Sequence, residues 1–242
     1  MSMRLPVIQG LIRRRILANY RVDPAVFQRL IPARFTPKLH NGYAVAGICL
    51  IRLEEIRPRA VPALMGISSE NAAHRFAVQW DEDGNSREGV FISRRDTSSR
   101  LNQVLGGRVF PGEHHPASFD VTDDENEIRL SMSSTDNELA FDLEARAAAN
   151  LPSDSIFKSL EESSRFFEGG SVGFSVTTDN NRLDGLKLET KEWQVEPLEV
   201  RRIASSYFDS ETNFPKGSIQ FDHALIMRNV AHEWKSEHDL YL

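Results

Sequence analysis

Ile128-Arg129-Leu130-Ser131-Met132, followed by Leu139-Ala140-Phe141-Asp142-Leu143-Glu144-Ala145, carries an apolar side chain at every second position. Neighbouring residues on a strand point to opposite faces, so this period of two predicts strands with one buried face each. Phe119 and Val121 extend the pattern backwards. The acidic run between, Asp120 to Asn126 with Asp123-Asp124-Glu125-Asn126 at its centre, reads as a hairpin turn.

Outward from this core the same reading recurs. Gly42 to Ile56 is predicted as a long apolar strand, and Phe221 to Met227 as the last one. Phe76 to Trp80 and Gly89 to Ser93 are strands joined by the turn Asp81-Glu82-Asp83-Gly84-Asn85. Gly173 to Thr178 and Leu186 to Val195 are strands turning at Asp179-Asn180-Asn181. Helices are few. Asp23 caps a short helix with Pro24 at its first position, and Pro32 stops it. Thr97 to Leu105, ended by Gly106-Gly107, Ser153 to Phe167, and Arg202 to Phe208 are predicted as the others. Many antiparallel strands with a few helices make an α+β fold, a closed or nearly closed sheet with helices packed outside.

The chain has 242 residues, 40% of them hydrophobic and 26% charged, with no repeat, low-complexity tract or dividing linker. One domain over 1–242 is expected, large enough to bury its own core. The formal net charge of -6 with both signs interspersed argues against a nucleic-acid partner. No apolar run approaches a membrane span, and Arg13-Arg14-Arg15 breaks the only N-terminal apolar stretch, so neither a membrane partner nor a signal peptide is expected. Cys49, the single cysteine, cannot form an intramolecular disulfide and has no basic neighbour in sequence. It reads as an inert core thiol in a reducing, cytoplasmic setting. The arginine run reads as a solvated strand edge or a source of ion pairs.

No GxGxxG, Walker, HExxH, CxxC or GxSxG motif occurs. His114-His115 is the most metal-like pair, needing a remote third ligand such as His74 or His223. Adjacent strand residues face opposite ways, so a polar loop or pocket lining is the preferred reading, and no metal or cofactor is expected. His232 and His238 read as exposed. Glu70 reads from its neighbours as a loop carboxylate pairing with Arg75.

Five segments in order carry a family resemblance: Tyr20-Arg21-Val22-Asp23-Pro24 leading to Leu30-Ile31-Pro32; Arg57-Pro58-Arg59; Glu70-Asn71; Ser93 to Leu101; and Phe221 to Asn229. Their order resembles a bacterial family of uncharacterised proteins similar to acetoacetate decarboxylase, over roughly Gly10 to Lys235. The resemblance implies an antiparallel β-barrel or cone with a largely apolar central pocket, and a homo-oligomer. It also implies a site: Arg13, or Arg14 or Arg15 if the register slips, as a carboxylate-binding arginine, with Glu70 as a pocket acid. A second family glutamate would fall near Val45, where the chain is apolar.

The namesake enzyme works through a lysine Schiff base. The matching stretch here holds Arg94, Arg95 and Arg100, and no lysine occurs between Lys38 and Lys158. Arginine keeps its proton and cannot replace that amine. Arg100 is expected either to clamp a ligand carboxylate or to pair with Asp96. The expected function is binding of a small carboxylate or carbonyl compound. The alternative is a lyase or isomerase in which Glu70 and His115 or His223 move protons.

Overall fold

The computed structural model describes residues 7–99, 112–124, 126–176 and 181–241. Its strands are β1 (Ile8–Val22), β2 (Thr36–Pro37), β3 (Leu39–His40), β4 (Tyr43–Pro58), β5 (Ile67–Glu82), β6 (Asn85–Thr97), β7 (His114–Asp123), β8 (Glu127–Ser134), β9 (Ala140–Ala147), β10 (Val172–Val176), β11 (Arg182–Thr190), β12 (Glu196–Ser205), β13 (Ile219–Ser236) and β14 (Leu240–Tyr241). Two α-helices, α1 (Pro24–Gln28) and α2 (Leu160–Glu168), join them among the described residues. The fold is α+β and the strands form one sheet, antiparallel except where β6 pairs parallel with β7 and with β10.

The pairings close on themselves twice. One ring runs β13, β1, β4, β5, β6, β10, β11 and back to β13. The second leaves β6 through β7, β8, β9 and β12 and also returns to β13. The strands common to both have each face against one ring, so both faces are buried. That is why β4 shows no alternation. Ala44, Ala46, Ile48 and Leu50 join the core of the second ring, while Val45, Cys49 and Leu53 join that of the first. Strands β8 and β9 border only the second ring. Their outer residues meet water, which leaves the clean period of two.

Several predicted elements change. β5 and β6 run well beyond Phe76 to Trp80 and Gly89 to Ser93, so Glu70 lies in a strand and not in a loop. Thr97 ends β6 instead of starting a helix, and 100–107 lie outside the described residues. The helix expected from Ser153 begins at Leu160, capped by Ser159 Oγ. The backbone before it is claimed by tertiary partners, since Ile156 N–H donates to Asp222 at 2.9 Å. Arg202 to Ser205 is strand, because β12 must pair with β9 on one side and β13 on the other. The first helix stops at Gln28, where Arg29 and Leu30 bond back three residues. The turn after β5 is as read, with Asp83 and Gly84 both at positive φ, 53° and 77°.

Candidate functional site

Inside the first ring lies a cavity of about 520 Å³, within the usual size for small-molecule sites. Much of its wall is apolar, with Ile51, Ile67, Ile92 and Phe167 among its residues. Trp193 and Trp234 form one side, and three arginines enter it: Arg15 from β1, Arg75 from β5 and Arg95 from β6.

Their placement follows from strand register. Residues aligned across the sheet form rows: Arg15 with Ile51 and Asn71; Leu17 with Cys49, Ala73 and Arg95; Asn19 with Gly47 and Arg75. The arginines thus occupy three successive rows on one face, around the small side chains of Cys49 and Ala73. Arg15 Nε donates to Cys49 Sγ at 3.3 Å, and its guanidinium lies 5.7 Å from the Trp193 ring centre. Arg95 Nε donates to Ser175 Oγ at 3.3 Å. Arg75 crosses Gly47 to donate to Asn19 Oδ1, and its guanidinium lies 4.9 Å from the centre of the Phe167 ring. Gly47 is required there, since a Cβ would collide with the Ala18 carbonyl oxygen.

Burial lowers the pKa of Arg75 and of Arg95 to about 10, and the nearby positive charge of Arg15 adds to the effect on Arg75. None of the three forms an ion pair among the described residues. Arg15 Nη1 and Arg75 Nε are buried with no protein acceptor. Of the acids on the wall, Asp96 takes Arg94 at 3.0 Å, Glu189 takes Lys235 and Lys187, and Glu168 is exposed at the end of α2. Lys187, which the sequence reading did not consider, is the lysine that lines the cavity, 3.2 Å from Glu189 and 41% exposed at its side chain.

Arg75 is held from behind. Because Asn19 Oδ1 is taken by Arg75, its amide nitrogen faces His223 Nε2, at 3.2 Å. His223 Nε2 therefore carries no proton, and Nδ1–H donates to Asp222 at 2.6 Å. Ser163 Oγ lies 2.8 Å from the same Nε2. Ser163, His223 and Asp222 thus have the connectivity of a hydrolytic triad. All three are buried and none lines the cavity, so the set functions as a brace between α2, β1 and β13.

The residues expected from sequence to share one pocket are dispersed. Arg13 points outward, with its guanidinium donating to Glu54 at 3.0 Å and Asn229 at 2.8 Å. Glu70 faces the second ring and accepts from the buried Arg14 at 2.7 Å. Arg14 also meets Asp123 at 3.5 Å. Burial pushes the Glu70 carboxyl up against the pull of Arg14. His115 lies 3.4 Å from Asp136, in the network where Arg94 binds Asp136 and Glu138. His223 is the brace just described, and Arg100 lies outside the described residues. The partner of Glu70 is Arg14, not Arg75. The metal idea gains no cluster, since no three potential ligands come together among the described residues.

One β-bulge explains the arginine reassignment. Ile12 pairs with Leu53 and Arg14 with Arg52, so Arg13 is an extra residue on β1. It moves the cavity-facing parity from Ile12 to Arg15. The run lies on a strand flanked by β13 and β4, not on an edge. Two further readings change. Cys49 has a basic neighbour, Arg15, supplied by the adjacent strand. His232 is buried at 3% exposure because β13 also pairs with β11, whereas His238 is exposed as expected.

The fold matches that of acetoacetate decarboxylase-like proteins. The acetoacetate decarboxylase of Legionella pneumophila superposes with a TM-score of 0.58 at 13% identity, covering 99% of this chain and 90% of that one. An acetoacetate decarboxylase-like enzyme from Sphingomonas wittichii RW1 gives 0.60 at 13% identity, covering 98% and 92%. The enduracididine biosynthesis enzyme MppR, in complex with pyruvate, gives 0.61 at 8% identity, covering 100% and 91%. No curated protein matches in sequence. The model of the DUF2071 family, described as an uncharacterized conserved protein, matches residues 11–227, and the chain belongs to that family. No helix among the described residues is long and apolar enough to cross a membrane.

Proposed function

We propose that this protein binds a small organic anion, a carboxylate or carbonyl acid with an apolar body, in the first-ring cavity and without a lysine Schiff base. The observation that carries this reading is the set Arg15, Arg75 and Arg95 in a partly apolar cavity, with Arg15 Nη1 and Arg75 Nε buried and lacking protein acceptors. A buried donor without an acceptor costs about 1–3 kcal/mol, more when charged, and an anionic ligand removes that cost. Pyruvate in a protein of the same fold supports the ligand class. The proton-transfer alternative is less well supported, because Glu70, His115 and His223 stand away from this cavity.

A thermal-shift and calorimetry screen of small oxo acids and carboxylates tests the reading. Hits are expected to weaken by about 10- to 100-fold in Arg75→Ala, the loss of one charge-assisted pair. Hits that bind Arg75→Ala and Arg95→Ala as tightly as the parent would refute it. Borohydride treatment with the same acids is expected to leave every lysine unmodified, and an adduct on Lys187 would restore imine chemistry.

We further propose that the protein is a cytoplasmic homo-oligomer. The support for self-association is the exposed pair Leu64 and Met65, 98% and 71% accessible on one short turn. Light scattering behind size exclusion is expected to give a multiple of 27.4 kDa, and a monomer at micromolar concentration refutes it.

A further inference from the structure

We infer that the ligand of this cavity is a dianion, carrying two carboxylates or one phosphomonoester on an apolar body. This deepens the proposed function and rests on it. Three guanidinium groups converge on one cavity, and the partners they have are neutral: Cys49 for Arg15, Asn19 for Arg75 and Ser175 for Arg95. Glu189 and Asp96 on the same wall are engaged by other cations, and Glu168 lies at the exposed end of α2. These charges have no ion-pair partner among the described residues; burial penalises the charged forms of Arg75 and Arg95, and Arg15 repels Arg75. A monocarboxylate offsets one of them and its two oxygens fill one guanidinium fork.

Geometry gives the same answer as charge counting. The arginines stand on three rows, each row about 7 Å from the next along the strands, as residues two apart on a strand are. One carboxylate in one guanidinium fork would use one row; two carboxylates, or the three oxygens of one phosphoryl group, can engage arginines from more than one row, with Ile92, Phe167 and Trp193 lining the same cavity for the apolar body. Asn19, locked by His223, fixes where Arg75 ends, so part of this spacing is built in before any ligand arrives.

The test compares matched ligands by calorimetry: glutarate against butyrate, and phenyl phosphate against benzoate. The dianion of at least one pair is expected to bind about 10- to 100-fold more tightly, one additional charge-assisted pair. Preference for glutarate identifies a dicarboxylate site, and preference for phenyl phosphate a phosphoryl site. In Arg95→Gln and, separately, Arg15→Gln, with folding verified by circular dichroism, the preference is expected to shrink towards one. Monoanions that bind as tightly as their dianions overturn this inference and leave the proposed function standing. Binding of neither class overturns both.

Discussion

Between pH 7.5 and pH 5.5 the protein is expected to lose about 3 kcal/mol of stability through the buried neutral His74 and His232, at about 1.4 kcal/mol each, with His223 acting in the same direction. His74 is 1% exposed, its ring centre 4.7 Å from that of Tyr207 and near Arg94, and burial drives its pKa down to about 3. His232 is 3% exposed beside Trp234, and burial drives it down to about 4. His223 is fully buried, and its pKa is lowered by burial despite Asp222. The unfolded chain takes up a proton on each of these near pH 6.5, while the folded chain does not. Protons therefore favour the unfolded state. The loss begins as pH falls below about 6.5 and continues down to the folded values, about 4 for His232 and about 3 for His74. His238 opposes this weakly, since Glu237 and Glu82 raise its pKa against its desolvation and it is exposed. The melting temperature should drop by roughly 6–12 °C over this interval for a chain of this size. His74→Leu should remove up to about half of the drop. A melting temperature flat within roughly 2 °C from pH 7.5 to 5.5 would show that these side chains are not buried and neutral.

Asp222→Ala is expected to cost about 3–5 kcal/mol, the usual loss when one partner of a buried ionic cluster is removed. Asp222 is 4% exposed and accepts four donors: His223 Nδ1 at 2.6 Å, Ser155 Oγ at 2.7 Å, Ile156 N at 2.9 Å and Arg21 Nη1 at 3.2 Å. These hold its pKa below the usual carboxylate range against the opposing effect of burial. Alanine takes the acceptor from His223 Nδ1, Ser155 Oγ and Ile156 N, leaves Arg21 with Asp154 alone of its two acidic partners, and frees the loop that leads into α2. It also removes the group that keeps the His223 proton on Nδ1, so Asn19 and then Arg75 lose their fixed positions. Ligand affinity should therefore fall together with stability. As a control, the surface pair Arg146–Glu199, with side chains 47% and 50% exposed, should contribute at most about 1 kcal/mol. Chemical denaturation measures both. An Asp222→Ala loss no larger than that of Glu199→Ala would disprove the brace.

Much of the fold could be read directly, because buried strands leave a local signature. Ile128 to Met132 and Leu139 to Ala145 lie on strands with one wet face, and their alternation is visible in a short window. Helix limits were less legible. The start of α2 depends on Asp222, far along the chain, which takes Ile156 N–H before a helix can. At the site, residue type was legible and residue number was not. The sequence points to an arginine pocket, with Arg15 as one alternative and Arg94, Arg95 and Arg100 in the stretch that matches the lysine's, but nothing in it selects Arg95 over Arg94 or brings Arg75 to the ligand. For Arg75 the available signal is its place in the run Ala72 to Ala77, otherwise small and apolar apart from His74; Arg95, between Arg94 and Asp96, carries no such local signal.

By itself the sequence determined the strand-rich α+β class, the membership that its ordered motifs suggested, and the lack of any lysine from Leu39 to Phe157. All are properties of composition or of local period. Only the tertiary structure decided which arginines meet. Facing on a strand is a matter of parity, and one extra residue at Arg13 moves the inward position from Ile12 to Arg15. Convergence of β1, β5 and β6 on one cavity depends on ring closure between strands distant in sequence, and no local pattern encodes that.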